Sequence, residues 1–169
     1  MNLPPAFSGT KNIHAIIETP KGSRNKYTYE NATGLFLLKK ILPHGLSFPL
    51  DFGFIPHTKA EDGDPMDVLV IMDDPGFPGC LVECRVIGIM TAEQEKKGKM
   101  IRNDRVLAVA AESRAYSNVK SAAELSKEQL DEVCQFFENY HKQDGNKFKV
   151  LKIADAEKAT SLIKKNLIA

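Results

Sequence analysis

The sequence predicts an α+β fold in which a small β-barrel is followed by helices. Short segments rich in β-branched and aromatic residues recur at roughly 8- to 12-residue spacing, separated by turn residues, and this pattern is typical of a small barrel. Beyond residue 126 the apolar residues recur every three or four positions, which is typical of a helix. No repeat, low-complexity tract or linker divides the chain, so we expect a single domain over residues 1–169.

The strands are predicted from short apolar runs bounded by turn residues. In chain order they cover residues 13–19, 26–30, 35–38, 50–56, 68–72, 81–90 and 106–110. Residues 1–11 are predicted to form an irregular arm, because Pro4, Pro5 and Gly9 oppose a regular element. Residues 20–23 and 31–34 are predicted turns, and residues 94–99 are predicted to form the tip of a charged hairpin.

Two helices are predicted near the end of the chain. The first covers residues 126–142, with Ser126 as its N-cap, Gln129 in the capping-box position and Gly145 just beyond its end. Its buried face is defined by apolar residues at a helical period: Leu130, Val133, Phe136, Phe137 and Tyr140. The second helix is shorter and covers residues 154–167.

Composition limits the partners and the compartment. The formal net charge of +1 gives no long-range attraction to nucleic acid or to a membrane surface, so neither is an expected partner. The sequence shows no secretory pattern and no run of 18 apolar residues. Cys80, Cys84 and Cys134 are an odd number of cysteines and are predicted to be reduced thiols. We therefore expect a cytoplasmic protein.

The acidic turn at residues 61–67 is the most informative stretch. Asp62, Asp64 and Asp67 fall within six residues, immediately before the apolar run at residues 68–72. Two like unit charges about 4 Å apart repel by roughly 4 kcal/mol at an effective dielectric near 20. Protonation, a basic partner or a hard cation would relieve that repulsion. The alternative is a solvated turn in which the aspartates point apart.

Cations elsewhere in the chain favour a phosphate chemistry. Glu18, Lys26 and Lys40 are predicted to face one another across a small antiparallel sheet. Oxygen-only clusters suit Mg²⁺ or Mn²⁺, and opposing cations suit phosphate oxygens. The acidic turn does not fit a calcium-binding loop, and the sequence contains no glycine-rich phosphate loop, zinc-protease pair or nucleophile elbow. The pattern indicates metal-assisted hydrolysis of a phosphoanhydride.

The segment Asp62-Gly63-Asp64-Pro65-Met66-Asp67 resembles the signature of the soluble family I inorganic pyrophosphatases. Further similar motifs follow in the same order over nearly the whole chain: residues 17–20, 25–27, 48–49, 52–56, 62–70, 78–79, 107–109 and 136–140. The resemblance implies an OB-like five-stranded β-barrel with flanking C-terminal helices. It also implies Mg²⁺-dependent hydrolysis of pyrophosphate to two phosphates by a metal-activated water, with several metal ions and Mn²⁺ as an alternative. A cytoplasmic homo-oligomer is implied, with a hexamer favoured over a dimer.

The resemblance also implies roles for individual residues. Asp62 and Asp67 would bind metal, with Asp67 bridging two ions, and Glu18 would help to hold a metal through water. Asp64 would take the proton from the attacking water. The substrate-binding positions implied by the resemblance are Lys26, Lys40, Phe52, Arg105 and Tyr140.

Several site positions depart from the family pattern. Lys40 stands where the family has an arginine, and two family tyrosines are Phe48 and Phe52. Thr28 stands where the family has a glutamate, and His141, after Tyr140, stands where the family has a lysine.

Two further family aspartates are missing before residue 106, where Asn103 occupies the position of the nearer one. We hypothesise that a one-residue shift brings Asp104 in as a metal ligand. The alternative is that Asp104 pairs at the surface with Arg102 or Arg105. These departures leave three hypotheses: a pyrophosphatase with altered activity, a metal-dependent hydrolase of another phosphoanhydride or phosphate ester, and a catalytically weak barrel that binds a phosphorylated ligand.

Overall fold

The computed structural model describes residues 3–168, so Met1, Asn2 and Ala169 lie outside the described residues, as does the start of the predicted arm. The strands are β1 (Phe7–Ser8), β2 (Asn12–Thr19), β3 (Asn25–Glu30), β4 (Leu35–Ile41), β5 (Asp51–Phe54), β6 (Asp67–Ile71), β7 (Leu81–Lys96), β8 (Lys99–Arg102), β9 (Arg105–Ala110) and β10 (Phe148–Asp155). A short 3₁₀ helix (Ala122–Glu124) precedes α1 (Lys127–Gln143), and α2 (Ala156–Lys165) follows β10. None of the described helices is long and apolar enough to cross a membrane.

Five strands close into a barrel. Strand β2 pairs with β5, β5 with β6, β6 with β9, β9 with β7, and β7 again with β2. All these pairs are antiparallel except β6–β9, which is parallel. The ring closes because β7, which is 16 residues long, pairs with β2 through residues 81–85 and with β9 through residues 84–90. The second part of β7 also pairs with β10. The predicted five-stranded barrel with C-terminal helices is confirmed.

The central strands are buried on both faces, which explains their continuous apolar sequences. In β6, Val68 and Val70 pack in a cluster that reaches α2, whereas Leu69 and Ile71 pack in a second cluster beneath α1. Strand β9 alternates in the same way. Gly53 in β5 permits the close approach of β2, because a Cβ at this position would lie 2.1 Å from the carbonyl oxygen of Ile16.

Helix α1 begins as its sequence predicts. The Ser126 side chain accepts from the Gln129 amide at 3.1 Å, and the Gln129 side chain accepts from the Ser126 amide at 3.1 Å, which completes a capping box. The apolar face of α1 buries Phe136, Phe137 and Tyr140 against the barrel. This packing brings the C-terminal turn of α1 to the barrel strands that carry the predicted site residues.

Strand β10 is the longest element that the sequence did not predict; the short strands β1, inside the predicted irregular arm, and β8 were not predicted either. Residues 154–155, predicted as helix, belong to β10, and α2 begins at Ala156 with Asp155 as its N-cap. The prediction failed because the alternation of this strand is interrupted between Val150 and Lys152, where its pairing with β7 shifts register, and because no marked turn precedes α2. Strand β7 also extends to Lys96, so that the hairpin turns at Lys97 and Gly98, both of which have positive φ.

Candidate active site

A cavity of about 490 Å³ lies against the barrel, the β3–β4 hairpin and the end of α1. Nine predicted site residues line it: Glu18, Lys26, Lys40, Phe52, Asp62, Asp64, Asp67, Arg105 and Tyr140. The barrel register explains part of this convergence, because Phe54 of β5, Asp67 of β6 and Arg105 of β9 are direct cross-strand neighbours. The β3–β4 hairpin adds Lys26 and Lys40, which also lie opposite each other.

The acidic turn is held by its own backbone. The Asp64 amide donates to Asp62 Oδ1 at 3.1 Å, and the Ala60 amide donates to the Asp64 carbonyl at 2.7 Å. Lys96 Nζ donates to the Asp62 carbonyl at 2.7 Å, which ties the tip of β7 to the turn. Burial raises the pKa of Asp62 and of Asp67. These carboxylates therefore lose hydration that a positive partner would replace.

Arg105 is the buried cation opposite Asp67. Its side chain is 3% exposed, and Nη2 lies 3.6 Å from Asp67 Oδ2. Nη1 donates to the Asn103 carbonyl at 3.1 Å, and Nε has no hydrogen-bond partner. The guanidinium carbon lies 4.3 Å from the centroid of Phe137 and 4.7 Å from that of Phe148. The guanidinium is thus held in place while part of its hydrogen-bonding capacity remains unused.

Two lysines of the hairpin meet aromatic rings in the cavity. Lys26 Nζ lies 4.1 Å from the centroid of Phe52, and Lys40 Nζ lies 3.8 Å from that of Tyr140. Burial lowers the pKa of Lys26, while the charges of Asp67 and Glu18 oppose that shift. Lys40 Nζ also forms an ion pair with Asp144 at 2.5 Å. Phe52 therefore offers Lys26 a cation–π contact where a tyrosine would offer a phenol.

Burial is the main cause of the raised pKa values of Glu18 and Tyr140. Glu18 is 7% exposed, and its Oε1 accepts from the Tyr29 amide at 2.7 Å. Burial raises the pKa of Glu18 to about 7, although the Tyr29 amide and Lys26 oppose the shift. Burial also raises the pKa of Tyr140, so its phenol keeps its proton at neutral pH.

The structure does not bring Asp104 into this cavity with the other predicted metal ligands. Its Oδ1 accepts from the Ala92 amide at 3.0 Å and from Arg102 Nη2 at 2.7 Å, and the side chain lines a separate cavity of about 430 Å³. Asn103 and Arg105 line the first cavity instead. Successive side chains of the extended chain point to opposite sides, so Asp104 lies on the side away from Asn103 and Arg105. The ion pair with Arg102 that the alternative describes is present.

Other residues that line the cavity were not predicted as site residues: Thr28, Tyr29, Asn31, Lys39, Phe54, Pro65, Gln94, Asn103, His141 and Asp144. Asp144 follows the end of α1 and lies 104 positions from its partner Lys40 in the sequence. A local sequence pattern therefore could not predict this contact. For Thr28, Asn103 and His141 the available signal was their departure from the family pattern. Gln94 was missed because β7 is longer than predicted.

The carboxylates of the cavity fit a hard cation that keeps much of its hydration. Asp62, Asp64 and Asp67 offer only oxygen atoms as metal ligands. Burial raises the pKa values of Asp62 and Asp67, and a bound cation would lower them again. Within residues 3–168 no three acidic, histidine or cysteine side chains form a ready-made metal cluster. Mg²⁺ fits such a site because it is commonly bound through one or two carboxylates, water and substrate phosphate.

Comparison with known proteins points in the same direction. The family described as inorganic pyrophosphatase matches residues 15–168. An inorganic pyrophosphatase of Halalkalibacterium halodurans is 39% identical over 157 residues, which cover 90% of this chain and 91% of that protein. An inorganic pyrophosphatase of Synechocystis is 38% identical over 151 residues, with coverages of 89% and 87%. The crystal structure of the inorganic pyrophosphatase from Thermus thermophilus aligns with a TM-score of 0.88 at 34% identity, covering 96% of this chain and 92% of that one.

Proposed function

The chain belongs to the inorganic pyrophosphatase family and hydrolyses pyrophosphate, and we propose that the cavity described above is where this reaction takes place. One observation carries the proposal. Asp62, Asp64 and Asp67 share a single cavity with Lys26 and Arg105. Carboxylates that can bind a cation thereby lie opposite cations that can bind phosphate, which is the arrangement that phosphoryl transfer to water requires.

The proposed cofactor is Mg²⁺ in several copies, with Mn²⁺ as an alternative. When bound, the metal would neutralise phosphate charge and lower the pKa of the attacking water. Asp62 and Asp67 are its proposed ligands, and Glu18 is proposed to contribute through water because one of its oxygens already accepts from the Tyr29 amide. Asp67 is supported as the principal ligand, because it starts β6, lines the cavity and has a partly buried carboxylate whose pKa is raised by burial.

Asp64 is the proposed general base. It is exposed at the rim of the acidic turn, whereas Asp62 and Asp67 are partly buried, so its carboxylate is free to receive a proton from the attacking water. The water oxygen then bonds to one phosphorus atom, the bond from that phosphorus to the bridging oxygen breaks, and two phosphates result.

The cations of the cavity are proposed to bind the substrate and the leaving phosphate. Arg105 would neutralise phosphate oxygens from the barrel side, and Lys26 and Lys40 would do so from the β3–β4 hairpin. The Tyr140 phenol stays protonated and can donate a hydrogen bond. Phe52 supplies no donor and is proposed to hold the Lys26 ammonium against its ring, from which Nζ lies 4.1 Å away.

Phosphate release tests this function. Purified protein is incubated with Mg²⁺ and pyrophosphate, and in parallel with ATP, ADP and a phosphate monoester. We expect pyrophosphate to be hydrolysed at a kcat/KM well above that of the other compounds, and chelation by EDTA to stop the reaction. A faster reaction with a nucleotide or monoester would reject pyrophosphate as the preferred substrate, and binding without turnover would reject the assigned chemistry.

We also propose a cytoplasmic homo-oligomer, with a hexamer favoured over a dimer. The support for association is a set of exposed apolar side chains on and near β4: Leu35, Leu37, Leu38, Ile41, Phe77 and Leu81. The support for the cytoplasm is that all three cysteines are free thiols. Light scattering coupled to gel filtration tests the assembly, and a monomer at micromolar concentration would reject it.

A further inference from the structure

We propose that His141 is a positioning residue, whose neutral imidazole accepts a hydrogen bond from Arg105 and so fixes the guanidinium that faces the substrate phosphate. The inference rests on the proposed function, in which Arg105 binds phosphate. It assigns a role to a position at which this sequence departs from the family pattern, and that role is exerted on a protein side chain.

The geometry determines which atom gives the proton. Arg105 Nη2 lies 3.3 Å from His141 Nε2, and both side chains are buried. A guanidinium has only donors and keeps its charge in proteins, so Arg105 must donate and Nε2 must accept. The imidazole is therefore neutral and carries its proton on Nδ1.

The surroundings of His141 stabilise the same state. Burial lowers the pKa of His141 to about 3, and the Arg105 charge acts in the same direction. Lys26 and Lys40 also lower the pKa, whereas Asp144 raises it. The ring stacks on Phe148 of β10 at a centroid distance of 4.3 Å and an angle of 6°. The acceptor is thus held in position from both α1 and β10.

His141 also affects how Arg105 interacts with Asp67. Nη2 lies 3.3 Å from the histidine nitrogen and 3.6 Å from Asp67 Oδ2, so two acceptors share one donor group. Without the histidine acceptor, the guanidinium would move into a closer ion pair with the carboxylate. That movement would draw Arg105 away from the phosphate and occupy an oxygen of Asp67. His141 therefore keeps both groups available.

Two isosteric variants separate hydrogen bonding from packing. His141→Gln keeps an acceptor oxygen, whereas His141→Met has a similar length and shape but only a weak sulfur acceptor. Both lose the aromatic stacking on Phe148, so their comparison is free of that effect. His141→Lys tests the family residue, which here would place a second cation beside Arg105. The matched control is His44→Gln, because His44 is exposed and does not line the cavity.

The measurements are kcat and KM for pyrophosphate, melting temperature, and the affinity for imidodiphosphate, an analogue with a bridging N–H, by calorimetry. We expect His141→Met to have a kcat/KM about tenfold or more below that of His141→Gln, the effect of one charged hydrogen bond. Its analogue affinity should fall in parallel while the two melting temperatures agree. His141→Lys should be as impaired as His141→Met, and His44→Gln should match the wild type.

Equal kinetics and equal analogue affinity for the glutamine and methionine variants would overturn the proposal, since only packing would then matter. A lysine variant more active than the glutamine variant would also overturn it. A wild-type protein that does not hydrolyse pyrophosphate would instead reject the proposed function. In that case the calorimetric comparison still decides whether His141 positions Arg105 for a phosphate ligand.

Discussion

Replacement of Asp104 by alanine should weaken the fold and leave the metal requirement nearly unchanged. Asp104 Oδ1 accepts from the amide of Ala92, a residue that is 0% exposed, and from Arg102. A buried amide left without a partner costs about 1–3 kcal/mol, and a half-exposed ion pair adds at most about 1 kcal/mol. The free energy of unfolding should therefore fall by about 1–4 kcal/mol. For a chain of this size, that corresponds to a decrease of roughly 2–16 °C in Tm.

Calorimetry and urea denaturation measure the loss of stability, and phosphate release over a range of Mg²⁺ concentrations measures the metal requirement. The Mg²⁺ concentration for half-maximal activity should stay within about twofold of the wild-type value. Loss of a metal ligand worth about 1.4 kcal/mol would instead raise that concentration about tenfold. Asp131→Ala is the matched control, because Asp131 is an exposed residue of α1. A tenfold higher Mg²⁺ requirement without a loss of stability would refute this account and restore Asp104 as a metal ligand.

Three further predictions concern residues of the cavity. Phe52→Tyr should raise kcat/KM for pyrophosphate about tenfold by adding a phenol donor, and unchanged steady-state kinetics would mean that the hydroxyl does not reach the substrate. Lys40→Arg should also raise kcat/KM, because a guanidinium can bind phosphate through two parallel bonds; a lower value would show that the ion pair with Asp144 tolerates only an ammonium. The pKa of His141 is lowered to about 3 from 6.5, so its stabilising contribution is complete above pH 6.5 and is lost as the pH falls towards 3. The unfolding free energy of His141→Gln, from urea titrations between pH 7 and 4, should consequently fall less steeply than that of the wild type, and parallel curves would contradict the assignment.

The sequence was sufficient to predict the barrel and α1 because their signals are local. The apolar runs of β6 and β9, and the capping box at Ser126, are each complete within a few residues. Strand β10 was not predicted because it forms by pairing with the second part of β7, which lies more than 50 positions earlier in the chain. The same pairing lengthens β7 beyond its apolar part.

Site residues could be predicted where several functional side chains are close in sequence, as in the acidic turn, or where a residue matches a motif of the family. They could not be predicted where contacts join distant segments. The Lys40–Asp144 pair and the Arg105–His141 contact each connect a barrel or hairpin strand to the end of α1. The side on which Asp104 lies depends on strand alternation across a single residue, and a small error in register reverses it.

The central claim, that Asp67 binds the metal needed for pyrophosphate hydrolysis, is tested most directly by phosphate release from Asp67→Asn at saturating Mg²⁺. The amide keeps the shape of the side chain and removes the charge, and burial already raises the pKa of Asp67. The account predicts that turnover is abolished, while circular dichroism is unchanged and the metal-free protein is at least as stable as the wild type. Turnover close to that of the wild type would contradict the assignment of Asp67 and of the cavity built around it.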